Sequence, residues 1–442
     1  MDFTTISLIL FAVTYVCMMA FQKARPYIAG ASALVFVIIG ITGIFDDYSY
    51  SFIEALKDID WNVLMMIAGT MGTVTLFIKS GMPKLLADVL ISKTKSVRWT
   101  VLALSVFAGL ISAFVDNVAT VLMIAPVALA LCKKLDISPV PSIICISVSS
   151  NLQGAATLVG DTTSILLSKA ANLDFMDFFF TEGKPGMFWI VEAGALAATI
   201  ILFFMFRKEN QPVTMETRTR VEDKFPTFLL VGTIVTLIAV SFIPYKDGAA
   251  AGQFYKPDIT NGIICIFFFI VGIVRDVIKE HSFDSLKNAV KEIDYYTIGL
   301  LAGLFVVIGG IEKAGVIDLI GSTLAKLGGS GVFVVYTVIV WASVLISAFI
   351  DNIPYTATML PVIAVLSDKL GIDPNLMYFG LLCGATLGGN LTPIGASANI
   401  TGIGILRKAG YTVETKTFMK YGLPFTLSAV TVGYLLIWVI FA

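Results

Sequence analysis

Long apolar segments recur along the whole chain, and each is close to the length that a membrane-crossing helix needs. A helix requires about 20 apolar residues to cross the ~30 Å hydrocarbon core of a bilayer. The pattern therefore predicts an all-α, multi-pass membrane protein with about ten spans. The predicted spans lie near residues 5–21, 26–44, 61–79, 141–171, 187–206, 225–244, 259–277, 294–311, 375–406 and 423–441.

Two further apolar stretches are interrupted in the middle by an Asp-Asn pair. Each half has about 15–17 residues, or about 22–25 Å of helix, which is short for a full crossing. We therefore predict that both stretches are re-entrant hairpins with Asp-Asn at their tips. The stretches are 99–132, with Asp116 and Asn117 at the tip, and 334–367, with Asp351 and Asn352 at the tip.

Both hairpins belong to a unit that occurs twice in the chain. The segment that begins at Ser112 recurs from Ser347, a shift of 347 − 112 = 235. Upstream, Asp60 corresponds to Asp294 at a shift of 294 − 60 = 234. The predicted organisation is an N-terminal span (1–25), a first repeat (26–206), a cytoplasmic linker with a connecting span (207–258) and a second repeat (259–442).

Lys and Arg in the short loops predict the orientation, because cytoplasmic loops carry an excess of them. The basic loops fall on one side of the predicted spans, and acidic loops such as that with Asp46 and Asp47 fall on the other. An odd number of predicted spans separates equivalent points of the two units, so the repeats are inverted and the hairpins enter from opposite sides. Inverted repeats around a midplane site are typical of many secondary transporters.

Composition agrees with a location in the lipid bilayer and excludes other classes of protein. Hydrophobic residues make up 57% of the 442 residues and charged residues 14%, against about 25% charged in soluble proteins. The net charge of −1 indicates no nucleic-acid partner, and the single histidine, His281, excludes a His-rich metal site. The five cysteines are isolated, so no disulfide framework is expected. We predict a multi-pass protein of the cytoplasmic membrane of a prokaryote.

Asp116 and Asp351 are carboxylates in otherwise apolar sequence, where an ionised group is costly unless it is paired or solvated. Each begins the returning arm of a hairpin, so one interpretation is a helix N-cap. The other is participation in an ion site, which is the default function of an intramembrane carboxylate. The two roles are compatible, and we expect ion binding. Glu192, a lone carboxylate in a predicted span, is open to both an interfacial and a functional interpretation.

A second repeated element is a helix interrupted by glycine and small polar residues. Unwound backbone at membrane depth is tolerated where it is buried in protein or lines a cavity, and its carbonyls can bind Na⁺. Close helix packing is the alternative interpretation of such small residues. Polar residues before each break are expected to complete the lining. The breaks are Gly160-Asp161-Thr162-Thr163-Ser164 and Gly395-Ala396-Ser397-Ala398-Asn399, and the flanking polar residues are Asn151, Thr157, Asn390 and Thr392.

The apolar sequence shows no Lys or Arg close to the carboxylates Asp116, Asp161 and Asp351. Three carboxylates without a basic neighbour make a poor anion site and a good site for a cation or a proton. An anion would therefore need Na⁺ or H⁺ bound first, unless the substrate is neutral. We expect Na⁺ or H⁺ as coupling ion and no other cofactor. The residues expected to hold Na⁺ are Asp116, Asn117, Gly160, Asp351, Asn352 and Gly395.

These motifs resemble the ion transporter superfamily. The match rests on Ser-Ala-Phe-Val/Ile-Asp-Asn at both tips, on the run from Gly154 to Asp161 and on the run from Gly388 to Asn399. It is closest to the branch of arsenite permeases and the pink-eyed dilution protein, which is related to divalent anion/sodium symporters and to a group of sodium/proton antiporters. The resemblance implies a scaffold and a transport domain, a homodimer, and elevator-type movement of a small inorganic or organic ion.

Two departures from the family pattern concern the substrate. Sodium/dicarboxylate relatives have Ser-Asn-Thr at the tips, and many anion-carrying relatives have Gly-x-Pro-Pro-Asn at the first break, where this chain has Gly160 to Ser164. The motifs favour an anion permease coupled to Na⁺ or H⁺, whereas the charge of the site favours the alternative, a Na⁺/H⁺ antiporter. A channel and an intramembrane aspartyl protease are further alternatives, although the Gly-x-Gly-Asp setting of the protease is absent. No GxxxxGK[ST] loop occurs, so ATP-driven transport would require a separate ATPase subunit.

Overall fold

The computed structural model describes residues 2–442 apart from 214–218, 222, 246–253, 282–285, 288–289 and 292. The described residues form nineteen α-helices, and their only strands are β1 (Phe180–Thr181) and β2 (Lys184–Pro185), which pair antiparallel. Eight of these helices have at least 18 residues and are apolar enough to cross a membrane. The predicted all-α, multi-pass fold is confirmed.

Within the predicted bounds of the repeats, α1 (Phe3–Ala20) precedes the first repeat and α11 (Phe225–Ser241) lies between the two repeats. The first repeat contains α2 (Arg25–Thr42), α3 (Phe52–Asp58), α4 (Trp61–Lys79), α5 (Met82–Lys93), α6 (Val97–Ser112), α7 (Asn117–Lys134), α8 (Val140–Gln153), α9 (Thr162–Ala170) and α10 (Met187–Met205). The second contains α12 (Thr260–Glu280), α13 (Tyr295–Lys313), α14 (Val316–Ala325), α15 (Val332–Ser347), α16 (Asn352–Leu370), α17 (Pro374–Gly388), α18 (Ser397–Lys408) and α19 (Thr415–Phe441).

The observed helices refine the predicted bounds. The stretches 141–171 and 375–406 each consist of two helices separated by a break, α8 with α9 and α17 with α18. The returning hairpin arms α7 and α16 have 18 and 19 residues. They are longer than predicted because the helices continue past the apolar stretch into polar sequence. The predicted linker 207–258 lies partly outside the described residues, and α11 is the helix in its described part.

Each hairpin consists of two helices joined by a short turn, and its returning helix is capped by an aspartate. Asp116 Oδ2 accepts a hydrogen bond from the Ala119 N–H at 3.0 Å, and Asp351 Oδ1 accepts one from the Ile353 N–H at 3.2 Å. Helices α6 and α7 pack against the half-helix α8, and α15 and α16 pack against the half-helix α17. The N-cap interpretation of both aspartates is therefore confirmed.

Helices of each repeat pack against helices of the other repeat. Helix α2 of the first repeat packs against α13 of the second, and α12 of the second packs against α4 of the first. Helices α10 and α19 pack on each other, with Gly194 close to the backbone of Ala429. Since 429 − 194 = 235, this contact joins two equivalent positions. Such reciprocal contacts are what a two-fold relation between repeats produces.

Two ion pairs near the ends of the spans connect segments that are distant in sequence. Lys256 and Asp174 form a buried pair at 2.6 Å, which links the segment before α12 to the segment after α9. The Lys313 ammonium donates to the Glu54 carboxylate and, together with Ser51, holds the pKa of Glu54 at about 2, below its usual range. The first pair joins the linker to the first repeat, and the second pair joins the two repeats to each other.

Glycine allows the close approach of α4 and α12. A Cβ added at Gly69 would overlap the backbone of Cys265. We expect Gly69→Ala to lower the midpoint of thermal unfolding in detergent, because overpacking costs about 1–3 kcal/mol. Gly30→Ala is the control, since a Cβ at Gly30 meets no atom within 4 Å. Fluorescence-detected size-exclusion chromatography after heating measures both, and equal stability of the two variants would contradict the close helix contact.

Candidate functional site

The hairpin tips and helix breaks of both repeats meet around one cavity of about 350 Å³. Four helices begin at this cavity, and each contributes its first residue to the lining. Asp116 and Asp161 lie in the same lining, and α4 and α13 form the opposite wall. The first residues of the four helices are Asn117 of α7, Thr162 of α9, Asn352 of α16 and Ser397 of α18.

Asp161 connects the first helix break to the tip of the second hairpin. Its side chain is buried, at 5% exposure, and caps α9 by accepting from the Thr162 N–H at 2.8 Å. Its other oxygen accepts from Thr163 Oγ1 at 3.1 Å and from Asn352 Nδ2 at 3.2 Å. A single carboxylate is thus shared between the two repeats, and no Lys or Arg nitrogen of the described residues lies within 4 Å of it.

Buried asparagines tie the first tip to both breaks. Asn117 Nδ2 donates to Asn151 Oδ1 at 3.1 Å, and Asn151 Nδ2 donates to Asn390 Oδ1 at 3.1 Å. Asn390 Nδ2 in turn donates to the Val148 carbonyl at 2.9 Å. Asn151 and Asn390 have no exposed surface. These two predicted residues therefore hold the half-helices together behind the cavity and do not line it.

The remaining polar residues of the breaks form hydrogen bonds to the unwound backbone at equivalent positions of the two repeats. Ser164 Oγ donates to the Gly154 carbonyl at 3.1 Å, and Asn399 Nδ2 donates to the Gly389 carbonyl at 3.1 Å, a pair that repeats at the shift of 235. The hydroxyls of two threonines donate to the carbonyls of the two hairpin turns. These bonds join Thr157 to Ala113 and Thr392 to Ala348.

Gly160 and Gly395 face clusters of carbonyl oxygens. A Cβ added at Gly160 would lie 2.7–3.0 Å from the carbonyls of 154, 113 and 112, and one at Gly395 would lie 2.6–2.8 Å from those of 389, 348 and 347. Only glycine therefore allows the backbone to approach these carbonyls so closely. Among the described residues, no three or more His, Cys, Asp or Glu side chains are grouped so that they could hold a metal ion by themselves. An alkali cation such as Na⁺, which accepts carbonyl and hydroxyl ligands, fits such donors.

The expectation that no basic side chain approaches the carboxylates is wrong for Asp351. Arg25 Nη1 lies 2.8 Å from Asp351 Oδ2, and Arg25 Nε donates to the Met18 carbonyl at 3.2 Å. Arg25 begins α2 at the edge of a predicted span, and packing of the first repeat against the second brings it to the tip of the second hairpin. The position equivalent to Arg25 is 25 + 234 = 259, an isoleucine, and Asp116 has no basic nitrogen within 4 Å in the described chain.

The two hairpin tips therefore differ in charge. Asp351 is neutralised by Arg25 and does not line the cavity, whereas Asp116 lines it. Ala396 occupies the N-cap position of α18, is buried, and makes no capping hydrogen bond through its side chain. Of the three carboxylates predicted for the site, Asp116 and Asp161 line the cavity.

Three polar residues of the lining lie outside the predicted site. They are Lys291, Asp294 and Thr297, at and before the start of α13. Asp294 caps that helix, because its Oδ1 accepts a hydrogen bond from the Thr297 N–H at 3.0 Å. The repeat of Asp60 at Asp294 is visible in the sequence, but only the packing of α13 against the hairpins reveals that it faces the cavity.

A helical membrane protein in which duplicated hairpins and broken helices surround one cavity is built as a transporter. The chain belongs to the citrate transporter family, because it matches the family described as CitMHS, citrate transporter, over residues 8–384. This family and its named relatives are transporters and not enzymes. The expected relation to the ion transporter superfamily is confirmed, and the protease alternative is dropped.

Relatives cover the whole chain at low identity. The uncharacterized transporter Rv2685 of Mycobacterium tuberculosis is 26% identical over 439 residues, which is 98% of each chain. The P protein of Homo sapiens is 25% identical over 460 residues, covering 88% of this chain and 54% of that protein.

Two solved transporters share the fold at 15% sequence identity. The YdaH transporter of Alcanivorax borkumensis has a TM-score of 0.60, with 95% of this chain and 97% of that chain covered. MtrF of Neisseria gonorrhoeae has a TM-score of 0.56, with coverage of 99% and 94%.

Arg25→Met leaves the Asp351 carboxylate, whose side chain is 13% exposed, without its partner. Breaking a buried ion pair from one side costs about 3–5 kcal/mol. We expect the variant to unfold at a markedly lower temperature in detergent and the double variant with Asp351→Asn to regain most of the loss.

Lys169→Met is the control, since Lys169 is 47% exposed and lies 3.8 Å from Asp60. An exposed pair of this kind contributes about 0–1 kcal/mol. A stable Arg25→Met variant would show that the ion pair does not hold the tip.

Proposed function

We propose that the chain is a secondary active transporter that moves a small anion together with Na⁺ or H⁺. The observation that carries the proposal is the meeting of four helix N-termini on a cavity that is also lined by three carboxylates, Asp116, Asp161 and Asp294. Unpaired N–H groups at helix N-termini attract anions, whereas carboxylates attract cations. A cavity with both suits a cation and an anion bound side by side.

The cation is expected to bind first. Asp116 and Asp161 have no basic partner within 4 Å, so their charges repel an anion until a cation or a proton neutralises them. The carbonyl clusters at Gly160 and Gly395 lie beside the tips and supply ligands for Na⁺. Protonation of the carboxylates would neutralise the same charges, and for this reason either coupling ion is compatible with the site.

The start of α18 is the best place for the anion. Helices α7, α9 and α16 are capped by Asp116, Asp161 and Asp351, which already satisfy part of their N-terminal N–H groups. The N-cap of α18 is Ala396, which offers no side-chain oxygen, and its first residue, Ser397, lines the cavity. The description of the family as citrate transporters favours an organic carboxylate as substrate.

The proposed movement is of the elevator type. The hairpins and broken helices pack on one another as one group, and the cavity lies between this group and the helices α4 and α13. Movement of the group along these two helices would carry the bound ions across the membrane. A homodimer, as the family resemblance implies, would hold the remaining helices fixed during this movement.

A Na⁺/H⁺ exchanger is the second candidate. It is favoured by the unpaired pair Asp116 and Asp161, because carboxylates that bind Na⁺ and H⁺ in turn suffice for exchange without any anion. The discriminating experiment uses reconstituted proteoliposomes with internal and external Na⁺ and pH varied independently. Concentrative uptake of citrate, phosphate, arsenite or chloride that depends on the Na⁺ or pH gradient supports the symporter. Proton movement driven by a Na⁺ gradient alone, with no anion, supports the exchanger and overturns the symport proposal.

Asp116→Asn tests the role of the first tip. We expect ion-coupled uptake to fall by about tenfold or more, because loss of ~1.4 kcal/mol of cation binding lowers affinity tenfold. Folding should be retained, since Asn is also a good N-cap residue. We expect Asp351→Asn to reduce uptake as well. Asp351 caps the helix whose first residue, Asn352, donates a hydrogen bond to Asp161, so the substitution disturbs this tip.

Asp373→Asn is the matched control for both variants. Asp373 caps α17 through the Asn375 N–H at 2.9 Å, as Asp116 caps α7, but it lies outside the cavity lining. Uptake should match that of the unaltered protein. If Asp116→Asn keeps its Na⁺ and pH dependence, the first tip does not bind the coupling ion.

A further inference from the structure

A second cavity, of about 160 Å³, lies against the half-helix α8 and shares no lining residue with the central cavity. Helices α6, α8, α10 and α19 enclose it, and it contains Glu192, the only charged residue of α10. Its rim includes Val106, Leu110 and Leu196, which are exposed on the apolar surface of the protein. The proposed transport mechanism does not use this cavity.

Glu192 and Gln153 both line this cavity, and each has one side-chain oxygen without a hydrogen-bond partner. Glu192 Oε1 and Gln153 Oε1 are both buried and have no hydrogen-bond partner, and Gln153 is 4% exposed. Ser105 and Thr199 also line the cavity, but their hydroxyls donate to the carbonyls of Val101 and Ala195 on their own helices. The Gln153 amide also hydrogen-bonds to Glu192, which leaves Glu192 Oε1 without a donor. A proton on Glu192 would turn the unpartnered oxygen into a donor, for which Gln153 Oε1 is the neighbouring acceptor.

The depth of Glu192 follows from its neighbour. Gln153 is the last residue of α8, directly before the helix break that reaches the central cavity. Glu192 therefore lies near the depth of the helix breaks and not at the membrane surface. An ionisable residue at that depth is expensive and is by default functional.

The second repeat shows that the cavity is not required by the fold. At the shift of 235, the positions equivalent to Ser105, Ser149, Gln153 and Glu192 are Val340, Gly384, Gly388 and Leu427. In that repeat a Cβ at Gly384 or Gly388 would meet the backbone of Val340 or Val344, so the helices close directly on each other. The first repeat therefore has four polar residues where the same architecture packs with apolar residues and glycine.

The other ionisable groups on the enclosing helices face elsewhere. Arg98 of α6 lies over the Phe203 ring, and Tyr421 of α19 stacks on Phe206, both at the far end of α10 from Glu192. In the described chain no Lys or Arg nitrogen lies within 4 Å of Glu192. Cys145 of α8 lies near Tyr421, and Lys420 lies over the Tyr421 ring. Tyr434 stacks on Tyr336, and Lys416 is exposed near the start of α19.

We propose that Glu192 binds an exchangeable proton, held between its carboxyl group and Gln153 Oε1, and that this proton is taken up and released during the transport cycle. The second half of the proposal rests on the proposed transport function. Gln153 adjoins the first helix break, so a change of charge at Glu192 acts on the backbone that the central cavity uses. The proton site and the substrate site are thereby coupled through α8.

Carbodiimide labelling tests proton binding without any knowledge of the substrate. Dicyclohexylcarbodiimide is apolar, reaches the cavity from the lipid side and forms a stable adduct with protonated carboxyl groups. In the full-length protein in liposomes, we expect peptide mass spectrometry to find the adduct on Glu192 at low pH and its loss as pH rises. Glu192→Gln removes the adduct from that peptide, whereas Glu414→Gln, at the exposed N-cap of α19, leaves it. Absence of the adduct at every pH would show that Gln153 merely donates to an ionised Glu192, and would overturn the proposal.

The pH profile of uptake tests the coupling. We expect Glu192→Gln to retain uptake at its optimum but to lose the pH dependence of the apparent affinity for the coupling ion, whereas Glu414→Gln retains it. A merely structural role would lower uptake equally at every pH, and an unchanged profile in Glu192→Gln would overturn the coupling. If no anion or Na⁺ flux is found in the unaltered protein, the proposed transport function fails, while the labelling still decides whether Glu192 binds a proton.

Discussion

The hydrogen bonds between the hairpin turns and the helix breaks are the constraint on which the structure depends. Backbone that leaves the helix inside a bilayer must find partners within the protein, because the hydrocarbon core offers none. Here each break supplies a threonine to the turn of its own repeat, Thr157 to Ala113 and Thr392 to Ala348. Neither the hairpin nor the break can therefore be buried without the other. Their meeting point becomes the one place where backbone carbonyls, helix N-termini and polar side chains face a common cavity.

The duplication conserves this backbone arrangement and varies the chemistry placed on it. The side chains of Ser164 and Asn399 donate hydrogen bonds to equivalent carbonyls, and the glycines at 160 and 395 face equivalent carbonyl clusters. The charges differ, since Asp161 in the first break corresponds to Ala396 in the second. A two-fold related framework can exchange inward-facing and outward-facing shapes, while unequal side chains allow one repeat to attract cations and the other an anion.

Much of this was predictable because the repeat is visible in the sequence. The shift of 235 locates both Asp-Asn tips and both glycine breaks, and helix-breaking composition in apolar sequence has few other interpretations. Arg25 was missed because it lies at the edge of a span, where a basic residue is expected to face the cytoplasm. Its contact with Asp351 spans 326 residues of sequence and depends on how the repeats pack. The cavity around Glu192 depends likewise on the meeting of α6, α8, α10 and α19, which local sequence does not encode.

The Arg25 pair changes the electrostatic argument for the central site. Three unpaired carboxylates would hold a cation strongly, and an anion would have to overcome the remaining negative charge after a single cation had bound. With Asp351 neutralised, the lining carries the three carboxylates of Asp116, Asp161 and Asp294 and the ammonium group of Lys291, so one or two bound cations or protons bring the cavity close to neutrality. The Lys291 ammonium group and the uncapped start of α18 are then the positive features of the lining. The proposed order of binding, with the coupling ion before the anion, rests on this balance of charge and requires no change in the shape of the site.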